Sequence, residues 1–256
     1  MSNNISEKFE ELGSNDIEEV ELLKTTLAKS LIYDKEIVCP VCDCISKVKV
    51  VKTSSYRVGK KHSDLYNEYT SINPYFYDVW LCNACGYASM KSDFEKIKSS
   101  QIEVIRNKIS LKWHERSYSE FYDVDIAIER FKLALVNSLV METADSRKGM
   151  LCLKIGWMYR IKGNAQNERT YISQALECFK NSYFKEAFPI YGMDKFTVIY
   201  LIGELFRRIG DFENSLLWLS QVITDLNVSS KIKEMAKDQR DLIKSKSMDG
   251  VLVIKN

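Results

Sequence analysis

Hydrophobic positions in this chain follow two different rhythms. From about residue 93 they recur at three- and four-residue steps almost to the end, which predicts amphipathic helices. The expected helices cover roughly 94–117, 122–142, 147–162, 168–187, 194–209, 212–226 and 229–246. Asp93 is the expected N-cap of the first, and Gly163-Asn164 and Gly210-Asp211 separate two pairs. A shorter stripe, Ile17, Val20, Leu23, Leu27 and Leu31, predicts one more helix, with Ser14, Asn15 or Asp16 to cap it. That helix is expected to dock on the rest of the chain.

Between about residues 37 and 90 the rhythm changes to alternation. Val48 and Val50 alternate with Lys47, Lys49 and Lys52, as in a half-exposed strand. Tyr77, Val79 and Leu81 alternate with Asp78 and Trp80, and Asn73-Pro74 marks a turn or strand entry. Near the end, Asp249-Gly250 precedes Val251, Leu252, Val253 and Ile254. This reads as a turn and a short strand that closes an edge or pairs with another chain. The expected organisation is an acidic lead-in over 1–36, a small β region over 37–92, a helical region over 93–247 and a tail strand over 248–256. The fold class is α+β, mostly α.

Composition narrows the picture. Pro is scarce, at three, and Gly modest, at ten, which favours long helices. The formal net charge of +2 gives no global attraction to nucleic acid or an anionic membrane. No apolar run approaches the ~18 residues of a membrane span. The polar, acidic start is unlike a secretory signal, so a cytoplasmic protein is expected. There, seven cysteines are thiols or metal ligands rather than disulfides.

Cys39-Pro-Val-Cys42 and Cys82-Asn-Ala-Cys85 are two C-x2-C pairs. Such a turn bends the backbone so that both thiolates face one point, and two turns supply the tetrahedral set that zinc prefers. Gly86 follows the second pair and permits a tight backbone. The separation by residues 43–81 is long, but an insertion at a hairpin tip costs little closure entropy. The expectation is one structural zinc per chain on Cys39, Cys42, Cys82 and Cys85, in a zinc ribbon with no open position for catalysis. A redox C-x2-C would need a βαβ context, which is not evident. Cys44 reads as a spare thiol, and Cys152 and Cys178 as small core residues.

The sequence here resembles a bacterial family known as domain of unknown function 2225. The match lies in Cys39-Pro-Val-Cys42, Arg57, Asp64, Tyr69, Asn73-Pro74, Tyr77, Cys82-Asn-Ala-Cys85-Gly86-Tyr87-Ala88 and Asp93-Phe94. The resemblance implies a zinc-ribbon segment followed by helical repeats, from about residue 37 to 225, and implies no activity. Two departures stand out. Asp43 occupies a place where the family often has Gly, and His62 one where it often has an acidic residue.

The helical region repeats weakly. Ile155-Gly156, Tyr159, Gly163-Asn164, Ala175 and Phe179 resemble the tetratricopeptide pattern with a stretch between its helices. Ile202-Gly203, Phe206, Gly210-Asp211-Phe212, Ser215 and Leu219 fit it unstretched, and Ala127, Phe131 and Ala134 look like the second helix of an earlier unit. Gly in one helix and a small residue in its partner let the two cross closely. The helix at 229–246 would cap the array. First helices of such arrays line a concave groove. The register puts Leu153, Trp157, Arg160, Tyr200, Glu204, Arg207 and Arg208 there, a set suited to an acidic or C-terminal carboxylate peptide.

The reading that follows is a non-enzymatic interaction or scaffold protein that binds a protein or peptide partner. A first alternative is a nucleic-acid-binding regulator using Lys47, Lys49, Lys52, Arg57, Lys60 and Lys61, with Tyr56 among them. A second is an enzyme with a site around Arg57, His62 and Asp64; Arg57 and Asp64 more simply form an ion pair pinning the long insertion. His114 reads as a helix-surface residue. No phosphate loop, nucleophile elbow or two-histidine metal motif is present.

Overall fold

In the computed structural model, which describes residues 30–253, three small antiparallel strand pairs precede a layer of helices. The stripe from Ile17 to Leu27 lies outside the described residues. Strand β1, Ile32–Val38, pairs with β2, Ile45–Val51, and the turn between them carries Cys39 and Cys42. Strand β3, Val58–Lys61, pairs with β4, Asn67–Tyr69. Strand β5, Val79–Leu81, pairs with β6, Ala88–Met90, around Cys82 and Cys85. Each cysteine pair therefore sits in a hairpin turn, and β3–β4 is an insertion between them. The β region begins at Ile32 rather than 37. In β1 only Ile32 and Ile37 are buried, so its sequence shows no alternation to read. Tyr77 closes a short 3-10 turn, Pro74–Tyr77, instead of starting β5.

The helices are α1 (Ser99–Lys108), α2 (Val124–Val140), α3 (Asp145–Ile161), α4 (Ala165–Lys185), α5 (Lys195–Ile209), α6 (Phe212–Thr224) and α7 (Ser230–Val253). Asp123, Asn164, Asp194 and Asp211 cap α2, α4, α5 and α6, each side chain accepting a bond from a backbone N–H of the first turn. Gly210, at φ 88°, ends α5 in the left-handed region.

Close helix crossings rest on small residues. A Cβ on Gly156 would come within 2.9 Å of Ile172 on α4, and one on Gly203 within 3.0 Å of Leu219 on α6. Ser215 of α6 donates to the Gly203 carbonyl at 2.7 Å, so the approach of α5 and α6 also satisfies a polar group. Helix α7 packs on α5 and α6 through Ala236 and Ile243 against Ile199, Tyr200 and Val222.

Three expectations are corrected. The first helix spans only Ser99–Lys108, with Lys98 at its N-cap; Asp93 is buried instead, accepting from the Tyr191 hydroxyl at 2.5 Å. The chain beyond leaves the helix because Trp113 folds back onto the cysteine turn, its indole N–H donating to the Asn83 carbonyl at 2.6 Å. Exposed His114 thus lies in an irregular segment rather than on a helix. An earlier helix pair does not form among the described residues. Ala127, Phe131 and Ala134 of α2 share a core with Val79, Leu81, Ala88 and Met90 of β5–β6, so a strand pair takes the place of a long first helix. Finally, α7 runs through Val253 where a turn and strand were expected. A helix satisfies its own backbone groups, whereas a lone strand requires a partner edge.

One core runs through both regions. Tyr66 and the β5–β6 strands pack with Leu151, Ile155, Trp157 and Leu176 of the helices. A second core, including Ile37, Val48, Tyr87, Phe94 and Ile105, surrounds the cysteines.

Candidate metal centre

The two cysteine turns repeat one backbone design. In the first, Asp43 N–H donates to the Cys39 carbonyl at 2.9 Å; in the second, Gly86 N–H donates to the Cys82 carbonyl at 2.8 Å. The residue after each second cysteine is left-handed, Asp43 at φ 60° and Gly86 at φ 76°. Asp tolerates this region better than most side chains, which accounts for its presence where Gly would be the default. Gly86 has no such latitude. A Cβ there would lie 2.5 Å from the Trp113 ring.

These turns bring four sulfurs together. The Sγ atoms of Cys39, Cys42, Cys82 and Cys85 all lie within 4.8 Å of one another. Cys39 to Cys85 and Cys42 to Cys82 are each 3.6 Å. Tetrahedral Zn–S bonds of about 2.3 Å set sulfurs about 3.8 Å apart, so the spacing fits. Cys39, Cys82 and Cys85 are buried, and Ser46 reaches the Cys82 sulfur at 3.5 Å. The sulfurs compete for protons. Hydrogen bonding to Cys82 pushes the Cys39 thiol up to about 12, bonds to Cys39 and Cys82 push Cys85 up, and Cys82 is driven well down by the same contacts. A divalent cation at the centre would deprotonate the set and replace mutual repulsion with attraction. The four-cysteine cluster can therefore hold a metal ion. Cys44 is exposed outside it, Cys152 is buried in the helical core and Cys178 is half-buried.

The hairpin between the cysteine pairs reaches the helices. Its tip seats Asp64, with no exposed surface, against α3 and α5. Arg160 donates to Asp64 at 2.5 Å, the Trp157 indole at 3.0 Å, and Arg208 lies 3.3 Å away. Ser63 donates to buried Glu204 at 2.6 Å, and the Tyr200 hydroxyl donates to the Ser63 carbonyl at 2.7 Å. Arg207 and Arg208 in turn bind Glu204 at 2.7 and 2.8 Å. Trp157 packs in a tilted arrangement against Tyr66 and Tyr75, with ring centres 5.5 and 5.3 Å away. Burial alone would raise the Asp64 carboxyl, but the Arg160 hydrogen bond and the Arg208 and Arg160 charges outweigh it and hold it below its ordinary value.

Of the residues expected from the register to line a groove, Trp157, Arg160, Tyr200 and Arg208 bond the chain's own hairpin, whereas Arg207 pairs with Glu204 of its own helix. Asp64 pairs with Arg160 and Arg208 rather than Arg57, which is exposed. His62 bonds Glu68 at 2.5 Å. With these separate partners, Arg57, His62 and Asp64 do not make one hydrogen-bonded group. The basic run is likewise divided. Lys47 and Lys49 face Glu36 and Asp34 across the β1–β2 register, Lys49 also reaching Glu120, and Lys52 bonds the Ser30 carbonyl. Arg57, Lys60 and Lys61 are exposed on the other hairpin.

A four-cysteine cluster held by two hairpin turns and braced against paired helices defines the class, a mostly helical α+β protein with a candidate metal centre. Within that class, the chain belongs to the family described as "Uncharacterized protein conserved in bacteria (DUF2225)", whose model matches residues 32–243. A protein of Borreliella burgdorferi, described as "Uncharacterized protein", is 28% identical over 102 residues, which are 37% of this chain and 36% of that protein. The alignment therefore spans well under half of that relative. No solved structure matches the chain. Among the described residues, no helix is long and apolar enough to cross a membrane.

Proposed function

We propose that this is a non-enzymatic zinc-binding scaffold. One structural zinc on Cys39, Cys42, Cys82 and Cys85 closes a ribbon, and a tetratricopeptide-like helical region binds a protein or peptide partner. The observation that carries the reading is the four sulfurs within 4.8 Å of one another at the two ends of a segment whose hairpin fills the helical groove. Four thiolates saturate a tetrahedral ion, so the metal serves as a brace and not as a Lewis acid. The α3–α4 and α5–α6 pairs, crossing at Gly156 and Gly203, supply the repeat-like frame. Free thiols at Cys44, Cys152 and Cys178 suit a reducing, cytoplasmic setting.

The partner's contact is the part of the helical face that the hairpin leaves uncovered, together with the hairpin's exposed edge. In-cell cross-linking of the full chain tests this. A partner protein cross-linked through lysines of β3 or α7 is expected; cross-links confined within the chain would sink it.

A further inference from the structure

Where the strand pairs meet α3, a cavity of about 360 Å³ lies between the β3–β4 hairpin tip, the end of β6 and the turn before α5. That volume falls within the ~300–1,000 Å³ of small-ligand sites. Met150, Lys154 and Trp157, at successive turns of α3, form one wall. Met90 and Met193 add two more thioethers, and Tyr75 and Tyr191 two more rings. Thioethers and aromatic rings attract one another, and unbranched methionines adapt to what lies between them. Lys91 and Ser92 are exposed, which places the mouth at their end.

The charged lining is a single group. Asp78 is buried, and its two oxygens accept separately from Lys91, at 2.7 Å, and from Lys154. Burial alone would raise the Asp78 carboxyl, but the Lys154 and Lys91 charges outweigh it and hold it below its ordinary value. The Lys154 ammonium also stands 4.5 Å from the centre of the Tyr75 ring. Two ammonium groups against one carboxylate leave one net positive charge beside a mostly apolar wall. Each ammonium has three N–H donors, of which Asp78 takes one. Two bulky residues of the lining are, moreover, held in strained backbone. Leu65 has φ 67° and Tyr191 φ 48°, the left-handed region that large side chains rarely adopt. Tyr191 opens a two-residue turn whose ends, Ile190 and Met193, exchange backbone bonds at 2.9 and 2.8 Å, a place usually given to Gly, Asn or Asp. Strain of this kind persists at ligand sites, where a side chain is aimed against its local preference.

The structure assigns this cavity to a small aromatic carboxylate of one or two rings. The ring lies among the Met90, Met150 and Met193 thioethers and against Trp157. The carboxylate lies between Lys91 and Lys154, opposite Asp78, so that four charges alternate in sign and sum to zero. An aliphatic acid would meet the same charges but forgo the thioether and ring contacts. A neutral ring would leave the extra ammonium unmatched. The inference goes beyond the scaffold reading and does not depend on it, because the site needs no partner protein.

The test is a titration of the zinc-loaded full chain, labelled at its methionine methyl groups and followed by NMR, with 2-naphthoate, 2-naphthamide and decanoate. The ring current of 2-naphthoate is expected to shift the Met90, Met150 and Met193 methyl signals and to leave those of Met141 and Met235 in place. The amide should bind about tenfold more weakly, the loss of one charge-assisted contact. Decanoate should also bind about tenfold more weakly, because it lacks the ring and must order a flexible chain. Lys91→Gln should weaken the acid about fivefold and narrow the gap between acid and amide. Met193→Trp should fill the cavity and abolish binding. Equal affinity for acid and amide, equal affinity for decanoate, shifts confined to other methionines, or none at millimolar ligand would overturn the assignment. So would a folded Met193→Trp chain that binds 2-naphthoate as the parent does. Should that variant not fold, Lys91→Gln decides, and an affinity for the acid equal to the parent's overturns the anchor.

Discussion

At Gly86 two demands meet in one residue. The backbone is left-handed at φ 76°, and the Trp113 ring occupies the space a Cβ would fill. Gly210 shares the first demand at φ 88°, but its nearest neighbour to an added Cβ is 3.9 Å away. Gly210→Ala should therefore cost about 1–2 kcal/mol of backbone strain. Gly86→Ala should cost more, about 3 kcal/mol, because overpacking adds to strain. It should also move Trp113, so its fluorescence should change while that of Gly210→Ala does not. Equal melting temperatures for the two variants would contradict the contact. Asp64 makes a different kind of claim. Its folded pKa lies below the ordinary 3.8, so its stabilisation is complete above that pH and is lost as pH falls through the lower folded value. Asp64→Asn leaves Arg160 and Arg208 facing a neutral group and should cost about 3–5 kcal/mol at neutral pH. The variant's stability should also fall less steeply below pH 4 than the parent's. Denaturant midpoints at pH 7 and pH 3 measure both effects.

The elements differ in how much of them the sequence declares. The breaks between α3 and α4 and between α5 and α6 were legible because their signals are local: Gly163-Asn164 and Gly210-Asp211 sit within a turn of the helix ends they control. The cysteine cluster was legible for the same reason, since each C-x2-C turn is complete in itself. The seat of the hairpin was not. Asp64 and Arg160 lie 96 positions apart, and nothing local in either distinguishes a buried pair from two solvated charges. Choosing the nearer Arg57 as the partner followed sequence distance where the fold obeys burial. The register placed Trp157, Arg160, Tyr200, Glu204 and Arg208 on one face, and the structure shows that the chain's own hairpin lies against them. That hairpin gives a prediction at this scale. Replacing residues 61–66 with a short Gly-Ser turn should uncover Trp157, Arg160, Tyr200 and Arg208 and lower the melting temperature. An acidic peptide should then bind, recover part of the loss and change Trp157 fluorescence, because it restores carboxylates to the guanidinium groups. A shortened chain indifferent to acidic peptides would mean the groove recognises only its own hairpin.

For the molecule as a whole, the decisive fact is the order of parts along the chain. The segment that fills the groove lies between Cys42 and Cys82, so a metal that joins the cysteine pairs closes a loop around it. Closing that loop lowers the entropy of the unfolded chain, and a bound ion adds its affinity to folding. The shared core gives this a route into the helices. Tyr66 packs on Trp157, Arg130 of α2 donates to the Val79 carbonyl at 2.8 Å, and the second cysteine turn is sealed by Trp113 and by Ser110, which donates to the Cys85 carbonyl. Metal loss should therefore not unfold the ribbon alone. The chain is expected to carry close to one zinc, which Cys82→Ser loses. Chelation should lower amide exchange protection in the cysteine turns, in Lys61–Tyr66 and in α3 and α5 together, within one cooperative transition. Helix α7, which packs on Tyr200 of α5 beside the hairpin tip, should lose protection together with α5. If α3 and α5 keep full protection while the cysteine turns exchange freely, the ion braces only its own hairpins and the hairpin finds its groove without it.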